Sequence, residues 1–315
     1  MSPETQKSNK NRFVLWVKAL FLLLSLSPIT LFTAEQQGIT LIVTGGYRGR
    51  VEGCNCPGGL TGGLSQRIVM SNERFPNQML SGLDCGAILD LDPEMGRFTS
   101  RCTIFGLAKL GLKVIGVTPR DLFYGVEFLK SIADSAGVQL VSANLFDAET
   151  DELIFKPWAV LLVPSFPRSS VGTKPYKLAV TSLIDGQPGR RFNVPVGWTR
   201  CPPDSVIDEL VKTVPEDTDY IILLTDMGEG TLREMLRDVS IFDIALTSSR
   251  QFYTASSFIL EKTLIAHPYP DGRSLDYIRL YCETLPEFFS QPIPENKKGD
   301  PAIEKWLRGC LGRDE

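Results

Sequence analysis

From Gly38 onward, short apolar runs alternate with stretches whose apolar residues recur every three or four positions. The runs read as strands and the spaced stretches as helices. Ile39–Val43 reads as a strand that ends in the turn Thr44-Gly45-Gly46. A glycine-rich loop, residues 52–63, follows, and Leu64, Ile68 and Val69 then carry helical spacing. Gln78–Leu83 and Lys113–Val117 read as strands on either side of a Cys102–Leu110 helix ended by Gly111. Phe128, Leu129 and Ile132 mark one face of a helix with Gly137 placed as its C-cap, and Val138–Val141 is the next strand.

The second half carries longer strands. Ile154–Val163 and Tyr176–Ile184 flank a loop rich in proline and serine. Asp204 reads as the cap of a helix with Val206, Leu210 and Val211 on one side. Tyr220–Leu224 is a nearly continuous apolar strand, expected to be buried on both faces. Leu232, Met235 and Leu236 form another helical face, and Phe242–Leu246, Thr263–Ala266 and Leu275–Tyr281 complete the strands. Such an order predicts a layered α/β domain. Residues 286–301 predict a proline-rich wrap, and Asp300–Leu311 a short closing helix.

The N-terminus has its own character. Lys7, Lys10 and Arg12 precede an apolar run from Phe13 to Ala34, interrupted by Lys18 and a few small polar residues. A basic flank before an apolar stretch is the pattern of an export signal. Residues 1–34 are therefore expected to be a cleaved signal or a retained anchor, tethering the chain to a membrane through residues 13–34. Residues 35–285 are the expected folded domain, and 286–315 the wrap and closing helix.

Composition narrows the function. The formal net charge is -4, so no basic field invites nucleic acid. Seven cysteines is an odd number for an exported chain, in which some should pair. No C-x-x-C-H run is present, which removes covalent haem. Gly45-Gly46 and Gly58-Gly59 lack the context of a phosphate-binding loop.

The stretch Leu110–Leu145 resembles the metallophosphoesterase superfamily, specifically the N-terminal domain of UshA-type 5′-nucleotidases. Gly111, Tyr124, Gly125, Phe128, Leu129, Gly137, Val138 and the run Ser142–Leu145 carry the likeness, which extends over Ile39–Tyr281. It implies a four-layer αββα sandwich. It also implies five loops that would supply Asp, His and Asn ligands to two metals. Here the donors are replaced. The loop that would read G-D-x-H-G is Gly45-Gly46-Tyr47-Arg48-Gly49, so Gly46 and Arg48 stand for ligands. D-x-G-D is Asp84-Cys85-Gly86-Ala87, and G-N-H-E is Thr118-Pro119-Arg120-Asp121. The fourth loop offers Asp226, and the fifth, G-H-x-H, is Thr247-Ser248-Ser249-Arg250. The chain has one histidine, His267, which reads as a surface or loop residue.

The degenerate positions Gly46, Arg48, Ala87, Arg120, Asp226 and Ser249 predict no phosphoesterase activity by the usual route. The alternative is a phosphoesterase with unorthodox ligands, Asp84, Asp121 and Asp226. A third reading is a non-catalytic scaffold that holds an anion on Arg48, Arg67 and Arg120.

The loop Cys54–Arg67, CNCPGGLTGGLSQR, resembles a subgroup of exported UshA-like proteins, some of them selenoproteins. Cys54, Cys56, Gly62, Gly63, Leu64 and Arg67 match that pattern. With the implied fold, Cys54, Cys56 and Cys85 are expected to converge where the metals would sit. They are candidates for thiol redox chemistry with an extracytoplasmic partner, or for binding a soft metal. Arg48 and Arg50 would favour the thiolate. A structural disulfide clipping the loop, and four-cysteine ligation that includes Cys102, are the alternatives.

Overall fold

The computed structural model describes residues 38–56, 59–166, 174–185, 197–249, 254–281 and 284–313. The expected signal or anchor at 1–34 lies outside the described residues. Gln37–Glu315 forms one compact unit.

Two sheets face each other. The first contains β1 (Gly38–Thr44), β4 (Ser81–Asp84), β5 (Leu112–Gly116), β6 (Gln139–Val141), β15 (Ser274–Tyr281) and β16 (Glu287–Pro292). Their order is β16-β15-β1-β4-β5-β6. β1, β4, β5 and β6 run parallel, and β15 and β16 are antiparallel additions. The second contains β8 (Ala159–Val163), β9 (Tyr176–Leu183), β11 (Tyr220–Thr225), β12 (Ile244–Thr247), β13 (Ser256–Leu260) and β14 (Thr263–His267). It has the order β13-β14-β12-β11-β9-β8, with an antiparallel strand at each edge. Two short ribbons, β2 (Cys54–Cys56) with β3 (Gly59–Thr61) and β7 (Leu145–Asp147) with β10 (Trp198–Arg200), stand apart.

Alternation along each strand divides the core into layers. Ile39, Leu41 and Val43 of β1 meet Ile222 and Leu224 of β11 between the sheets. The outer face of the first sheet carries α1 (Leu64–Arg74), α2 (Gly96–Lys109), α3 (Val126–Ala136) and α6 (Pro301–Cys310). The outer face of the second carries α4 (Pro203–Lys212) and α5 (Glu229–Asp238). The layering is the αββα sandwich that the resemblance implies. Among the described residues, no helix is long and apolar enough to cross a membrane.

Local chemistry explains the boundaries. Gly137 ends α3 in the left-handed region, with φ 69°, as its C-cap reading requires. Asp300 caps α6 by accepting from Ala302 N at 2.8 Å and Ile303 N at 3.1 Å, with Pro301 next to it.

Four readings need correction. The expected wrap at 286–301 contains β16, where Phe289 stacks on Tyr277 with ring centres 5.0 Å apart. Its flanking prolines are tolerated because the strand is an edge. β13 was not foreseen, since Ser256–Leu260 alternates too briefly to stand out. The long strand Ile154–Val163 contracts to Ala159–Val163. Pro202, not Asp204, precedes the first turn of α4.

Cys102, on α2, is disulfide-bonded to Cys310, on α6. This removes Cys102 from any metal cluster and fixes the C-terminal helix to the first sheet's outer layer. The bond spans 208 residues, so it limits the unfolded chain strongly. In the chain-entropy view that is worth on the order of 5 kcal/mol. Cys310→Ala is expected to lower unfolding stability by about 2 to 5 kcal/mol in urea melts. A variant as stable as the native chain would mean the bond carries no stabilisation.

Candidate functional site

The loops after β1, β4, β5, β11 and β12 meet at one end of the sandwich. The first two are zipped by backbone hydrogen bonds. Gly46 N donates to Gly86 O at 2.9 Å, Arg48 N to Ala87 O at 3.0 Å, and Gly49 N to Ile88 O at 2.9 Å. Ala87 holds a left-handed conformation, φ 57°, that disfavours a residue with a Cβ.

Asp121 ties this pair to the third loop. It begins as the N3 residue of a capping box with Thr118. Fully buried, its Oδ2 accepts from Thr118 N at 3.0 Å, Thr118 Oγ1 at 2.6 Å and Ala87 N at 2.9 Å. Its Oδ1 accepts from Ile88 N at 2.8 Å and Leu89 N at 3.3 Å. Arg120 turns its Nε onto Leu89 O at 2.9 Å. The carboxylate and guanidinium expected as ligand or anion holder thus bind the neighbouring loop.

Asp84 is likewise engaged. Its Oδ2 accepts from Thr44 Oγ1 at 2.5 Å and its Oδ1 from Gly86 N at 2.7 Å. Burial raises its pKa to about 7, with the Asp121 charge adding and the Thr44 bond opposing. Asp226 Oδ1 accepts from Asp185 N at 2.8 Å. In the fifth loop Ser249 N donates to Thr247 Oγ1 at 3.1 Å, and Thr247 Oγ1 donates to Met227 O at 2.7 Å. Arg250 lies outside the described residues.

Arg48, in a left-handed conformation, stands 3.8 Å from Asp271 across the loop mouth. Arg67 is 1% exposed and lies over the Tyr47 ring, rather than reaching solvent. Each predicted cation is therefore in a different setting, and Arg48, Arg67 and Arg120 are not one surface cradle. The sequence reading passed over Tyr47, Thr44, Thr118 and Asp276. Buried Asp276 accepts from Ser274 Oγ and Ser290 Oγ, and from Tyr269 N. A polar residue amid strand apolar residues was the available signal.

Two metal ions do not fit these residues. Gly46 and Ala87 have no donor side chain, Arg48 and Arg120 bring positive charge, and the Asp84 and Asp121 oxygens already accept protein hydrogens. Among the described residues, no three His, Cys, Asp or Glu side chains gather closely enough to hold a metal ion.

Cys85 is buried between the sheets, and its Sγ donates to Thr44 O at 3.3 Å. Burial pushes its thiol well above the ordinary range, helped by the Asp84 charge. Gly45 makes room for it: a Cβ there would fall 2.3 Å from the sulfur. Cys85 is thus a packing residue and a poor thiolate. Cys54 and Cys56 belong to the β2–β3 ribbon, where Cys54 pairs with Thr61 and Cys56 with Gly59. Their side chains lie outside the described residues.

His267, expected at the surface, is 1% exposed as the last residue of β14. Burial lowers its pKa to about 4, opposed by Glu229.

No protein-family model and no curated protein sequence matches the chain. Solved structures do. A 5′-nucleotidase precursor from Thermus thermophilus superposes with a TM-score of 0.70 at 13% identity, over 87% of this chain and 58% of its own. The sulfate thiohydrolase SoxB of Thermus thermophilus gives 0.66 at 12%, over 87% and 60%. The calcineurin-like phosphoesterase YfkN of Bacillus subtilis gives 0.65 at 14%, over 88% and 97%. The chain spans about three-fifths of the first two and nearly all of the third. At these identities the likeness is one of fold: the chain has the fold of the 5′-nucleotidases and calcineurin-like phosphoesterases.

The buried groups predict opposite pH dependences. Folding raises Asp84 from 3.8 to about 7, so the folded chain keeps a proton that the unfolded chain releases. That contribution is present at low pH and is lost as pH rises from about 4 to about 7. Folding lowers His267 from 6.5 to about 4, so its contribution is present above about 6.5 and is lost as pH falls. Asp84→Asn should therefore gain roughly 2 to 3 kcal/mol of stability relative to the native chain between pH 5 and pH 8. Urea melts at both pH values measure it, and a pH-independent difference would contradict the assignment.

Proposed function

We propose that this chain is an extracytoplasmic domain that uses the phosphoesterase fold without phosphoester hydrolysis, its chemistry residing in the Cys54/Cys56 ribbon. The observation that carries the first part is the Asp121 carboxylate, whose oxygens accept five loop hydrogens. A metal there would have to break those bonds. The same commitment of Asp84 and Asp226 weighs against the unorthodox-ligand alternative.

Export is supported by the basic and apolar N-terminal pattern and by the Cys102–Cys310 disulfide, a bond that persists in oxidising compartments. With Cys85 in the core, the working pair is Cys54 and Cys56. One thiolate attacks a disulfide sulfur of an extracytoplasmic partner and forms a mixed disulfide. The second displaces it, leaving Cys54–Cys56 oxidised and the partner a dithiol, so two electrons and two protons pass to the partner. Soft-metal binding would use the same pair, without Cys85.

Two measurements test this. The purified protein with added manganese should release no phosphate from nucleotides or p-nitrophenyl phosphate above a buffer control; turnover at enzyme-like rates would overturn the first part. Thiol-trapping mass spectrometry should find Cys54 and Cys56 shifting between dithiol and disulfide in a glutathione series, while Cys102–Cys310 stays oxidised. Cys54 or Cys56 fixed in a bridge to a remote cysteine such as Cys201 would overturn the second.

A further inference from the structure

The first turn of α1 is buried and uncapped. Its N-cap, Gly63, has no side-chain acceptor, and the turn holds no acidic residue. Leu64, Ser65, Gln66 and Arg67 are all buried, and Leu64 N donates to Val51 O at 2.9 Å. A buried helix start leaves amide hydrogens seeking acceptors at the positive end of the helix dipole.

Arg67 adds a full charge in that turn. Neither its Nε nor its Nη1 meets an acceptor among the described residues. Its guanidinium carbon lies 5.6 Å from the centre of the Tyr47 ring. The Tyr47 hydroxyl is buried and also lacks a hydrogen-bond partner there. Burial raises the Tyr47 pKa, and the Arg67 guanidinium opposes it by its charge and by a loose contact with the hydroxyl that falls short of a well-formed hydrogen bond.

Gly272 places that hydroxyl at the approach to the helix. A Cβ at Gly272 would stand 2.7 Å from Tyr47 Oη, and one at Gly62 would stand 3.3 Å from Gly272 O. The carboxyls within electrostatic reach of Arg67, Asp84 and Asp276, accept from other donors. A buried guanidinium with open donors is costly until something accepts from it.

We propose that a small monovalent anion of the halide class binds among Arg67 Nε and Nη1, the Tyr47 hydroxyl and the two first-turn amides of α1 not already bonded to Val51 O or Gly63 O, those of Ser65 and Gln66. The guanidinium and the helix end set the sign. Burial sets the size, and the nearby Asp84 and Asp276 disfavour a second negative charge. Since Gly62 and Gly63 join the β2–β3 ribbon to α1, the ion pins the ribbon's return to the domain. The proposal does not rest on the thiol reading.

Melting curves of the full chain in sodium chloride, sodium bromide and sodium gluconate at one ionic strength test it. Chloride and bromide should raise Tm saturably, by about 3 °C or more over gluconate. Bromide should give an anomalous diffraction peak in contact with Arg67. Tyr47→Phe keeps the ring under the guanidinium and should raise the half-saturating halide concentration about tenfold, the worth of one hydrogen bond to a charged group. Arg67→Met should abolish the response; if it does not fold, the bromide peak in the native chain decides. Identical melting in the three salts, no peak at Arg67, or equal stabilisation by sulfate would overturn the proposal.

Discussion

The carboxylate of Asp121 joins the loop after β4 to the loop after β5. Five donors from residues 87 to 89 and from Thr118 converge on its two oxygens. Bonds from amides to a buried charge are stronger than neutral ones, and losing their acceptor strands every donor at once. That knot explains why Ala87 tolerates a left-handed backbone and why Arg120 can turn onto Leu89 O. It also carries over to β1, because the amides of Gly46, Arg48 and Gly49 hang on carbonyls of the same β4 loop.

Around Asp121 the loops after β1, β4 and β5 satisfy one another's backbone amides. Metal-binding loops need donor atoms left open toward a common point. Here Thr44, Thr118 and Thr247 link neighbouring segments through their hydroxyls, and Thr225 braces its own loop by accepting from Met227 N. Cys85 fills the space below Gly45. The loop ends of this fold are held together here by protein hydrogen bonds.

Much of the fold was legible because its periods are strong. Val43 and Leu83 alternate into the inter-sheet core, and Gly137 ends its helix for a reason any sequence would show. Asn144, in the Ser142–Leu145 run, earns its place by bonding Ile184 N and O and Cys201 O across strand ends. Burial was not legible. Arg67 and His267 read as surface residues, yet both are buried, and Asp276 is buried too. Cys102 and Cys310 carry no motif, because their bond depends on how α6 docks and not on spacing.

The central claim, that the loop ends bind one another in place of ions, is tested most directly by anomalous diffraction at the manganese edge. Crystals of the native chain grown in excess manganese should show no peak beside Asp84, Asp121 or Asp226, with the Asp121 bonds intact. Two peaks about 3.5 to 4 Å apart at those carboxylates, with Ala87 and Ile88 N released, would contradict the account.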